Sequence, residues 1–106
     1  MKKDELKFRQ GDVGLIPVPQ LPAGAKKVGR DKGRIVLAYG EVTGHAHAIA
    51  EDTATLFQAG EDRFLAVRRR SKLKHEEHAT VVLEPGVYKV RHQREYSPEE
   101  IRRVAD

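Results

Sequence analysis

The chain has no cysteine, no tryptophan, a single methionine and only six aromatic rings, three Phe and three Tyr. Without cysteine there can be no disulfide and no thiolate metal site, so any metal must be held by His, Asp, Glu or backbone oxygen. No run is long and apolar enough to cross a bilayer, and the opening MKKDELKFRQ has a positive start with no apolar stretch behind it, which is not a signal peptide. A soluble, cytoplasmic protein without a membrane partner is the expectation. GxSxG, a P-loop and GxGxxG are all missing, and Ser71 and Ser97 fall in a basic loop and a helix cap, so neither nucleophilic catalysis nor phosphate cradling is supported.

What is present suits one small domain. A chain of 106 residues can build a single core but not two. Lys and Arg outnumber Asp and Glu by 20 to 16, for a net +4, which permits nucleic acid without implying it. Residues 1–10 are mostly charged and are expected at the surface. Val13 to Val18, followed by prolines, reads as an edge strand, and 25–34 as an exposed, Gly-punctuated connection. RIVLAY, 34–39, is apolar on both parities, as a buried strand is. Two hairpins are predicted, one turning at Gly60, Glu61 and Asp62, the other at Glu84, Pro85 and Gly86. Ser97, Pro98, Glu99 and Glu100 carry the signals of a helix start, so a short helix is predicted over 97–105. Short, evenly spaced strands with one terminal helix give an all-β fold class, a small β-barrel or a double-sheet sandwich.

Four of the five histidines fall in two tight groups, GHAHAIAE at 44–51 and HEEH at 75–78. On a strand, residues two apart share a face, so His45 and His47 present two imidazoles side by side while Ala46 and Ala48 point the other way and leave space there. Two such nitrogens can share one ion at about 2.0–2.1 Å for zinc. His75 and His78 are three apart and would fall on opposite faces of a regular strand, so a bulge or a wide loop is needed to bring both to one site. The competing reading is solvated side chains on a polar protein. His92, among Arg91, Arg94 and Glu95, is read as an ordinary strand or surface residue. Glu41, Glu76 and Glu77 stand beside histidines and are the candidate general acids or bases, ligands or orienting partners.

The segment Gly40, four residues, His45-Ala46-His47, three residues and Glu51, with a later Gly60, resembles the first motif of the cupin superfamily. The resemblance implies a small metal-binding barrel with His45, His47 and Glu51 as ligands. The second cupin motif has no counterpart, since Pro85 and Gly86 are not followed by a suitably spaced histidine, and His75 or His78 become the candidate remaining donors. The three alternating histidines of the histidine-triad hydrolases are not matched, because Ile49 stands third.

The leading reading is therefore a small metal-binding β protein, with a divalent ion at His45, His47, His75, His78 and Glu51. Zinc, iron, manganese and nickel all suit such donors. An open coordination position would make it an enzyme acting on water or a small oxygen-containing substrate. Two alternatives stand beside it. One is a β domain that binds nucleic acid or protein through Arg68, Arg69, Arg70, Lys72 and Lys74 and the loop around Lys26 to Arg34, although no aromatic interrupts the first run for base stacking. The other is a subunit of a homo-oligomer or larger assembly, with the histidines at an interface.

Overall fold

The structure, a computed structural model, describes residues 6–40 and 44–92. Ten strands follow in chain order: β1 (Phe8–Gln10), β2 (Val13–Val18), β3 (Lys26–Val28), β4 (Ile35–Tyr39), β5 (Ala46–Ile49), β6 (Ala54–Ala59), β7 (Asp62–Val67), β8 (Ser71–Leu73), β9 (Val81–Leu83) and β10 (Gly86–His92). The fold is all-β, with no helix among the described residues. The predicted helix at 97–105 lies outside the described residues.

One antiparallel sheet has the order β1-β2-β10-β7-β6-β3, and β4-β5 and β8-β9 form two smaller ladders. The small ladders are joined by a bridge in which Ala48 and Lys74 exchange both backbone hydrogen bonds, at 3.0 and 2.9 Å. Alternation along these strands sends Val13, Leu15, Leu56, Leu65, Val67 and Tyr88 of the large sheet into one cluster with Ile35, Leu37, Ile49, Leu73 and Leu83 of the small ones. The core thus lies between the two sets of strands. Of the two expected forms, barrel or double-sheet sandwich, the barrel is not closed: among the described residues β1 and β3 are the edges of an open six-stranded sheet.

Three further expectations change. The charged N-terminal segment includes β1, and Gln10 within it is buried. β2 is covered by β1 at Val13 to Leu15 and is an edge only beyond that, where Pro17, which has no N–H to donate, pairs with Tyr88 on the β10 side alone. The sequence around Glu84, Pro85 and Gly86 does not close a hairpin. β9 pairs with β8, whereas β10 pairs with β2 and β7, so this turn carries the chain from one sheet to the other. The Tyr88 hydroxyl donates to the Glu84 carbonyl across that corner at 2.7 Å. The hairpin through Gly60 forms as expected, with Ala59 opposite Asp62.

The segment 25–34, expected as a connection, holds β3, which pairs with β6, and then a two-residue turn. Asp31 and Arg34 exchange backbone hydrogen bonds at 2.8 and 3.1 Å, with Lys32 at φ 55° and Gly33 at φ 81° between them. Positive φ at both central positions is the type I′ geometry that Asn-Gly fits best, and lysine is strained there by its Cβ. Lys32→Asn should stabilise the protein by about 0.5–1 kcal/mol. A urea midpoint that stays put or falls would refute this.

Candidate metal centre

β5 lies between β4 and the Ala48–Lys74 bridge to β8; His47 is on it, His45 directly precedes it, and the rings of both approach His75. Ala38 stands directly opposite His47, after a register shift between Val36 and Ala38, and its small side chain leaves room for the imidazole. HEEH is not a strand. It lies in the loop 74–80 between β8 and β9, whose ladder closes at Leu73 and Val81. The loop folds back so that the ring of His75 is 4.3 Å from that of His47 and 5.7 Å from that of His45. His78 is 4.7 Å from His75 and 5.8 Å from His47. Two segments about thirty residues apart in the chain thus contribute four imidazoles to one cluster.

His78 reaches the cluster by crossing the β1–β2 turn. A Cβ on Gly11, which has φ 55°, would stand 2.6 Å from His78 Nε2, so glycine serves both the turn and the approach of the ring.

The proton positions follow from the neighbours. Gln10 Nε2 donates to the carbonyls of Leu73 at 2.7 Å and Ala79 at 2.9 Å. Its Oε1 is then an acceptor, and the 2.8 Å contact with His47 Nδ1 requires that nitrogen to carry the proton. Nε2 of His47 is left with its lone pair. His45 has a looser counterpart, its Nδ1 3.3 Å from Oε2 of the exposed Glu77 carboxylate. Metal-binding histidines are oriented by an oxygen acceptor on the other ring nitrogen, which fixes the tautomer and raises basicity. His75 is set the opposite way: its Nδ1 accepts from the Glu77 backbone N–H at 3.0 Å, so in the neutral ring the proton is on Nε2.

Glu76 completes the local charge. Its Oε1 accepts from the Ala46 N–H at 2.9 Å, and this hydrogen bond is the main reason its carboxyl is held below the usual range. His45, His75 and Glu76 offer ligand atoms that all lie within 4.8 Å of one another. His47, 5% exposed, packs its ring against that of His75 and, like His78, is outside this group of three.

Burial, then the charges of His75, His78 and His92, push the His47 pKa down to about 4, with Asp12 acting in the other direction. His92, on β10 opposite Val13, thus bears electrostatically on the centre despite its unremarkable place in the sequence. The sign of the linkage is definite. Between pH 6.5 and 4 the unfolded chain binds a proton at His47 that the folded chain does not, so stability is full above pH 6.5 and declines as the pH falls. For an isolated group this shift corresponds to roughly 3 kcal/mol. The urea midpoint should therefore drop through that window. His47→Asn, which keeps a donor for Gln10 and cannot titrate, should drop less. Parallel curves for the two proteins would contradict the assignment.

Not every predicted residue reaches this centre. The Glu51 carboxylate accepts from the Lys72 backbone N–H at 3.0 Å, beyond the end of β5, and is not in the ligand group; the strand stops at Ile49, so the alternation that would have aligned Glu51 with the histidines stops with it. Glu41 lies outside the described residues. The arginines of the basic run are engaged locally: Arg68 with Thr55 and Asp52, Arg69 with the Asp52 carbonyl, Arg70 with Glu84. Lys72 and Lys74 are exposed. Gln10 was not legible beforehand, since a glutamine in a charged segment carries no signal for partners more than thirty residues away.

No curated protein and no solved structure matches the chain. A family model does match, over residues 9–93, and on that match the chain belongs to the family described as Domain of unknown function (DUF8820).

Proposed function

We propose that this protein binds one divalent transition metal ion through the Nε2 atoms of His45 and His47, with Glu76, His75 and His78 supplying the remaining donors. The observation that carries the reading is the oxygen facing each Nδ1, Gln10 Oε1 hydrogen-bonded to His47 and Glu77 Oε2 3.3 Å from His45. Solvated histidines have no need of such partners, whereas a metal ligand does. His75 joins the coordination set by giving up the Glu77 N–H; otherwise its Nε2–H is a donor aimed at whatever the ion binds. Zinc, Fe(II), manganese and nickel accept such a set.

A cupin-like activity on a small oxygen-containing substrate fits this donor set, because a bound ion with an open position polarises a substrate oxygen or lowers the pKa of water. The chain's own part would be to orient the imidazoles through Gln10 and Glu77 and to hold a carboxylate, Glu76, beside them. Glu77 is thereby an orienting group for His45 rather than a free base.

The test is metal analysis of untagged protein followed by calorimetric titration of the stripped chain with zinc, manganese and nickel. One ion per chain, bound at micromolar affinity or better, is expected. Failure of all three to bind would end the reading.

A further inference from the structure

Buried Ala46 and Ala48 and exposed Ala50 alternate with His47 and Ile49, lie outside the main apolar cluster, and line a cavity of about 260 Å³. The side chains on either side are long: Arg34, just before β4, and Lys74, which pairs with Ala48 across the bridge. Three successive methyl groups between longer neighbours make a groove along β5. Neither Arg34 nor Lys74 makes a side-chain hydrogen bond or ion pair among the described residues, unlike Arg68 and Arg70. At its other end the groove reaches His75 and Glu76, two members of the candidate ligand group.

We propose that this groove binds a small organic monoanion, with its acid group at Arg34 and Lys74 and its apolar body on the alanine floor. The two cations complement one negative charge, and the methyl floor complements a short chain. The Glu76 carboxylate at the far end disfavours a second negative charge there. The further assignment of this ligand as the substrate of the histidine centre rests on the metal reading, through the shared His75 and Glu76; the groove itself does not.

The metal-free chain is titrated with hexanoate, and with hexylamine as a matched cation, while backbone amides are followed by NMR. Hexanoate should shift Ala46, Ala48, Ala50 and Lys74 saturably, and hexylamine should not. Lys74→Gln, at an exposed position where folding is not at stake, should weaken hexanoate about three- to tenfold. Ala48→Leu, which fills the floor, should weaken it at least as much. No saturable shift, equal binding of hexylamine, or unchanged affinity in Lys74→Gln overturns the proposal. Because the chain is metal-free, failure here leaves the metal titration standing, and failure of metal binding leaves this one standing. Added zinc that changes hexanoate affinity supports the link between groove and centre; zinc and hexanoate binding with no mutual effect overturns that link.

Discussion

Gln10→Leu is expected to lose both stability and metal affinity, by an amount unusual for a residue that is neither apolar core nor ligand. The glutamine amide is buried and fully used: two carbonyls accept from Nε2 and His47 Nδ1–H donates to Oε1. Leucine fills the volume but leaves three polar groups without partners, each worth about 1–3 kcal/mol, so a loss of about 3–5 kcal/mol is expected after partial access of water to the loop carbonyl. That is a large part of the stability of a small domain. Metal affinity should fall a further 10–100-fold, since His47 is no longer held as the Nδ1–H tautomer. Gln10→Glu separates the two effects. A carboxylate still accepts from His47 but opposes two carbonyls, so it should destabilise at pH 7 and recover as acid protonates it. Wild-type metal affinity in Gln10→Leu would remove the tautomer from the argument.

This residue also shows where reading the sequence stops. Local patterns carried far: the apolar RIVLAY segment contains β4, the Gly60 turn joins β6 and β7, and His47 lies on a strand that starts just after His45. Each of those inferences needs only neighbours along the chain. The turn at Glu84, Pro85 and Gly86 has equally good local chemistry, yet turn residues do not say which strand the chain will pair with next, and β10 joins the other sheet. Glu51 shares parity with the histidines, but parity holds only while the strand continues. Gln10 depends on backbone carbonyls at 73 and 79, whose positions exist only once both sheets have packed. The HEEH loop falls between these cases: the need for an irregular backbone followed from the spacing, whereas its return over β5 did not.

Replacing His45 and His47 together by alanine should abolish metal binding while leaving the chain folded. Structural four-ligand zinc sites bind with about 10–16 kcal/mol, or roughly 3 kcal/mol for each donor, so two lost donors correspond to a weakening of about 10⁴-fold. The fold should survive, because neither histidine belongs to the apolar cluster that unites the two sets of strands. The cost to the apo protein is the hydrogen bond at Gln10 Oε1 and the space vacated by one buried ring, about 1–3 kcal/mol. Circular dichroism should change little, and thermal unfolding should stay cooperative at a lower midpoint. Chelated wild type should likewise unfold cooperatively, because the apolar cluster includes none of the proposed ligands. An ion dispensable for folding would leave the proposed centre available for chemistry. Loss of the cooperative transition in either the double variant or the chelated protein would instead make the ion a structural staple, and the enzymatic reading would fall with it.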